Sequence, residues 1–163
     1  MKKFLICLLI AVAFVWSCKT APAGPAIEGD VTQEKVNKAL GDIYNTYRTK
    51  LDMSGAKDYT VVKGDTLSQI TRNFYGSLTG VGDSGANNGF YFPVIMLASD
   101  SNIVDPDLIE PGMKMKIVDL KKNLAIPGSR KAIKDCLMDV AYVYNKKGDP
   151  TTEAGLKKLA NSL

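Results

Sequence analysis

The chain has 163 residues, 45% hydrophobic and 23% charged, enough for one ordinary globular domain with a tail or two and too few for two full domains. Its formal charge of +4 falls by two if a leader carrying Lys2 and Lys3 is removed, a balance too mild for nucleic-acid binding. Histidine is absent, which removes the commonest general base, the Ser-His-Asp and Cys-His arrangements and His-based zinc sites.

Lys2-Lys3, the apolar run Phe4 to Trp16, then Ser17 and Cys18 have the order of a secretory leader: positive, apolar, small. The run is thirteen residues long, short of the roughly 20 that a helical membrane span needs. Val15-Trp16-Ser17-Cys18 resembles the lipobox of bacterial lipoproteins, although Trp16 stands where a small residue is usual. That resemblance implies a signal peptide over 1–17, lipidation of Cys18, and a membrane-held protein of the cell envelope facing the periplasm or the cell surface. Lys19, rather than aspartate, after the lipidated cysteine points to the outer membrane. Two or more acyl chains suffice for stable anchoring, at about 0.8 kcal/mol per buried CH₂. Cys7 leaves with the leader, so Cys136 has no partner for an intramolecular disulfide.

Residues 18–30 are rich in Pro, Gly and Ala and read as a flexible tether, with a reach of at most roughly 35 Å over Lys19 to Gly29. From 31 to 57 an amphipathic helix is expected: Val36, Leu40, Ile43, Tyr44, Tyr47 and Leu51 recur at helical spacing, and Asp30 with Gln33 approximates a capping box. Tyr59 to Val62 and Met115 to Val118 are β-type runs with apolar helical material between them, predicting strand, helix, helix, strand. Beyond them, residues 120–163 form a helical extension with two helices. One runs from Ser129 to Asn145 with the stripe Ile133, Cys136, Leu137, Val140, Ala141 and Tyr144, which makes Cys136 a buried, inert thiol. After Gly148-Asp149-Pro150, Thr151 or Thr152 caps a short last helix.

Lys63-Gly64-Asp65-Thr66-Leu67 reads as a glycine turn after a strand, with Asp65 or Thr66 capping a helix whose inner face starts at Leu67 and Ile70. Together with Asp105-Pro106-Asp107-Leu108-Ile109 and Pro111-Gly112 before the last strand, this resembles a LysM domain over residues 58–119. Phe92-Pro93-Val94-Ile95 is similar to the second helix of a bacterial subtype. Two features depart from the family: Ser99 stands where asparagine usually ends the second helix, and residues 77–89 form a glycine-rich insertion. The insertion lacks the Gly-Lys-Ser/Thr ending of a phosphate loop and, with only Asp83, cannot make an EF-hand. Asp100, Asp105 and Asp107 also lack EF-hand spacing, so turn and capping roles are expected for them.

The resemblance implies an α+β fold, a βααβ unit of a two-stranded antiparallel sheet with two helices, flanked by one N-terminal and two C-terminal helices. It further implies a shallow groove for glycans containing N-acetylglucosamine, peptidoglycan above all. The groove residues carried over are Gly64, Asp65, Thr66 and Leu67 on one side, and Ile103, Val104, Asp105, Pro106, Leu108 and Ile109 on the other. Backbone groups would meet the N-acetyl amide and apolar patches its methyl, with no ionised group, cofactor or metal required. One shallow site binds weakly, with a dissociation constant around a millimolar or somewhat better, about 4 to 6 kcal/mol. A non-catalytic tether between membrane and wall is therefore expected. The alternative is an assembly lipoprotein with an envelope protein partner, whose LysM fold no longer holds glycan. An enzyme fits poorly: outside 58–119 the only glutamates are Glu28, Glu34 and Glu153, and a glycosidase needs two carboxylates across one cleft.

Overall fold

The structure is a computed structural model that describes residues 27–76, 88–99 and 104–163. The expected leader, Cys18, and most of the tether and insertion lie outside the described residues, as does Ile103. In chain order the elements are α1 (Gln33–Tyr47), β1 (Lys57–Thr60), α2 (Leu67–Tyr75), α3 (Phe92–Ala98), β2 (Lys114–Ile117), α4 (Leu120–Ala125), α5 (Pro127–Lys147) and α6 (Pro150–Asn161). Single 3-10 turns follow α1 at Arg48–Lys50 and precede α3 at Asn88–Tyr91.

β1 and β2 pair antiparallel, with Lys57 opposite Ile117 and Tyr59 opposite Met115. Helices α2 and α3 lie between the strands in sequence, giving the βααβ order and α+β class expected. Helix α3 is the centre of the molecule. All seven of its residues are buried, and it touches α1, α2, α5 and β2. Each fully buried Val, Ile, Leu, Met or Phe contributes about 1.5–3 kcal/mol, so this short helix is held by packing rather than by its own propensity.

The flanking helices complete that core. α1 buries Val36, Ala39, Leu40, Ile43 and Tyr44, and α5 buries Ile133, Cys136, Leu137, Val140, Ala141 and Tyr144. Burial pushes the Cys136 thiol well above its ordinary range, which keeps it protonated and inert. The extension has three helices rather than two. α4 is a six-residue turn capped by Asp119, whose carboxylate accepts from Lys122 N at 2.9 Å. Its buried Asn123 ties it down: the side-chain oxygen accepts from Asp52 N at 2.8 Å, and Nδ2 donates to the carbonyls of Asp52 and Asp119.

Several boundaries differ from the expectation: β1 and β2 lie two residues and one residue earlier than the expected β-type runs, and α5 extends two residues beyond Ser129–Asn145 at each end. The cap of α1 is Thr32, which accepts from Lys35 N, so the helix starts two residues later and the Asp30–Gln33 box does not form. The cap of α6 is Asp149, not Thr151 or Thr152, because Pro150 fits the first helical position. The insertion ends before Asn88: that side chain is buried and donates to Tyr75 O at 2.6 Å, while Gly89 lies against the side chain of Arg72.

Candidate functional site

β1 is followed by a turn that is almost self-contained. Past the strand, Val61 N donates to Met113 O at 2.9 Å and Gly112 N returns a bond to Val61 O at 2.8 Å. The pairing then stops, because Val62 N turns to the Asp65 carboxylate at 2.8 Å. The same oxygen of Asp65 accepts from the Tyr59 hydroxyl at 2.8 Å, which raises the phenol's pKa. Gly64 takes a φ of +94°, a left-handed value that a Cβ would strain. Thr66 then caps α2 by accepting from Gln69 N, and Leu67 enters the core.

The segment Val104–Glu110 forms the opposing loop. Its local bonds are an Asp105 Oδ1 that accepts from Asp107 N at 3.0 Å and a Leu108 N that donates to Asp105 O. The rest of its support comes from far along the chain. Gln33 of α1 donates to Asp105 Oδ2 at 2.7 Å. Lys147 of α5 reaches both oxygens of Asp105 at 3.1 Å and Asp107 Oδ2 at 2.5 Å. Tyr144 of α5 donates its hydroxyl to Asp107 Oδ1 at 3.0 Å. Burial alone would raise the Asp105 carboxyl, but the Asp107 N–H, Gln33 and Lys147 outweigh it and hold the group below its usual range. Burial and the Asp107 charge push the Tyr144 phenol well up, so it remains a donor.

Between turn and loop lies a cleft of about 290 Å³. Of the residues expected to form it, Asp65, Thr66, Leu67, Pro106 and Ile109 line it together. The others do not. Gly64 shapes the turn from outside the lining, and Leu108 is 53% exposed to solvent away from it. Val104 and Asp105 pack away from the lining. Val104 Cγ1 lies 3.9 Å from where a Cβ on Gly41 of α1 would sit, and the Asp105 carboxylate is buried under Lys147 and Gln33. Asp105 therefore holds the loop in place, and its neighbour Asp107 is the acid that reaches the cleft.

The cleft also holds residues that sequence reasoning did not assign to it: Ser68, Phe90, Phe92, Asp107, Tyr144 and Thr152. Ser68 and Asp107 each sit one position from an expected groove residue, within the turns themselves. Phe92 and Tyr144 meet edge to face with ring centroids 5.7 Å apart, an apolar floor made by α3 and α5. Ser99 closes the base of the loop: its buried hydroxyl donates to Ile95 O at 2.6 Å and accepts from Lys116 N at 3.0 Å. Serine thus links the end of α3 to β2 at the position where the family usually has asparagine.

The lining combines apolar side chains with hydroxyl and carboxylate oxygens, which suits an uncharged ligand with both a hydrophobic face and hydrogen-bond donors. Among the described residues, no group of three His, Cys, Asp or Glu side chains could hold a metal ion. The family model described as LysM domain matches residues 59–118. No curated protein and no solved structure matches the chain.

Proposed function

Residues 59–118 are a LysM domain, a non-catalytic module whose family binds N-acetylglucosamine polymers such as peptidoglycan, and from that premise we propose that the chain is a non-catalytic lipoprotein that ties a membrane to the cell wall. The observation that carries the reading is the cleft where Asp65, Thr66 and Leu67 of the first turn meet Pro106 and Ile109 of the second loop. Its apolar floor suits the carbon–hydrogen face and acetyl methyl of the sugar, and its oxygens suit hydroxyl and amide donors. Lipidation at Cys18 would hold this weak site close to a polymeric wall, so that effective concentration compensates for modest intrinsic affinity.

A protein partner as the main ligand is less well supported. Large exposed apolar side chains outside the LysM domain, among the described residues, are Val31, Met53, Ile126 and Met138. None of them carries the chemistry of a particular partner, whereas the lining of the cleft fits one class of ligand.

The test is a pull-down of residues 19–163, which contain every described element, on purified sacculi. Ser68→Trp fills the cleft without removing the Thr66 cap. The wild type should co-sediment, and the variant, with its fold confirmed, should bind roughly tenfold more weakly or not at all. A wild type that stays in the supernatant would overturn the glycan reading. The anchor is tested separately: the full chain should incorporate a labelled fatty acid, and Cys18→Ser should abolish incorporation.

A further inference from the structure

Two of the residues that line the cleft, Tyr144 and Thr152, lie outside the LysM domain, at the end of α5 and the start of α6. We propose that this α5–α6 hairpin is a third wall of the binding site, contacting the bound glycan through Thr152 and setting the position of Phe90. The inference rests on the glycan reading above and adds ligand-contacting residues to it.

The hairpin is built to place Thr152. Gly148 ends α5 in the left-handed conformation at φ +80°, and Asp149 N donates back to Tyr144 O at 3.0 Å. Such a close reverses the chain within two residues. Asp149 then caps α6, taking Thr152 N at 3.0 Å on one oxygen and the Thr152 hydroxyl at 2.6 Å on the other. With its single hydrogen committed to Asp149, the Thr152 oxygen can offer a ligand only its lone pairs. Tyr144 is likewise committed, its hydroxyl to Asp107 and its ring to Phe92. Both are preorganised before a ligand arrives, which lowers the ordering cost of binding.

Phe90 is the second contact. A Cβ on Gly155 of α6 would lie 2.1 Å from Phe90 Cζ and 2.4 Å from both Cε atoms. The ring therefore occupies the space that any other residue at 155 would fill, and it lies against α6 while also lining the cleft. The seat of this aromatic side chain is thus set by the extension. An aromatic ring beside acceptor oxygens matches a pyranose, whose carbon–hydrogen face is apolar and whose edge carries hydroxyl donors. At about 290 Å³ the cleft is near the lower end of ligand pockets, roughly 300–1,000 Å³, so it takes a short stretch of glycan whose ring can reach all three walls at once.

The experiment is a titration of ¹⁵N-labelled residues 19–163 with N-acetylglucosamine oligosaccharides, read by amide shifts. The amides of Thr152 and Gly155 should move along with those of Thr66 and Leu67. Thr152→Trp should weaken binding by roughly tenfold, and Thr152→Val, which keeps the shape and removes the oxygen, by roughly threefold. If Thr66 and Leu67 respond while Thr152 and Gly155 do not, and Thr152→Trp binds like the wild type, the third wall is overturned and the glycan site stands. A wild type with no response anywhere overturns both. Should Thr152→Trp fail to fold, the wild-type shifts and Thr152→Val decide the matter.

Discussion

The two sides of the cleft are built in opposite ways. The turn after β1 is held by partners within a few residues: Asp65 takes Val62 N and the Tyr59 hydroxyl, and Thr66 caps the helix that follows. The loop before β2 is held by Gln33, Tyr144 and Lys147, at separations of 72, 37 and 42 residues. One side could assemble from a short stretch of sequence. The other draws its long-range supports from α1 and α5, which makes the flanking helices part of the site rather than appendages to it.

The sharpest way to break this asymmetry is Lys147→Met. The Lys147 side chain is 18% exposed and its ammonium faces two carboxylates, of which the Asp105 side chain is only 2% exposed. Removing one partner of such a pair leaves a buried charge uncompensated, at a cost of about 3 kcal/mol. Denaturant unfolding should show that loss, and amide exchange should quicken over residues 104–110 while the 62–66 turn stays protected. The pH dependence has a definite sign. Because the Asp105 pKa is lowered on folding, its contribution is present above the ordinary value of 3.8 and is lost as pH falls through the folded value. In Lys147→Met burial is opposed by fewer partners, so the carboxyl pKa rises and acid unfolding should begin at a higher pH than in the wild type. An unchanged acid midpoint would show that Lys147 does not hold the loop.

The same asymmetry explains what could be read from the residues in advance. Gly64, Thr66 and Leu67 are legible because turn, cap and core entry follow from local chemistry. Asp105 and Asp107 look interchangeable in sequence, and only the tertiary approach of Lys147 and Gln33 buries the first and leaves the second at the cleft. Thr152 and Phe90 carry no local sign of a site, since each reaches it through the packing of α6. β1 ends at Thr60, two residues short of Val62, because Val61 and Val62 have the composition of a strand but Val62 N bonds to Asp65 instead of to the partner strand. Helix α4 carries no sequence signal, because six residues with two buried leucines are too short for a period to show.

Ser99→Ala probes the base of the second loop and should have a smaller effect. It removes the acceptor for Lys116 N and the bond to Ile95 O, the two contacts through which Ser99 joins α3 to β2. The loss should be about 1 to 2 kcal/mol, the net contribution of the two hydrogen bonds that the hydroxyl makes. Exchange should quicken at Lys116. Restoring the link with Ser99→Thr should recover most of the stability if the hydroxyl is what matters, and little if the cavity is.

The smallest effect belongs to the self-contained turn. Asp65→Ala removes the acceptor shared by Val62 N and the Tyr59 hydroxyl. Val62 is exposed, so water can take its freed N–H, and Tyr59 keeps its edge-to-face contact with Phe74 at 5.5 Å. The expected loss is therefore about 1 kcal/mol, well below that of Lys147→Met. Its binding effect should be disproportionate, because Asp65 lines the cleft and shapes the turn that presents Thr66 and Leu67. Affinity for N-acetylglucosamine oligosaccharides should fall severalfold while exchange over 104–110 stays as in the wild type. If instead both sides loosen together, the turn is not self-contained, and the cleft must be treated as one cooperative unit in which local and distant supports cannot be separated.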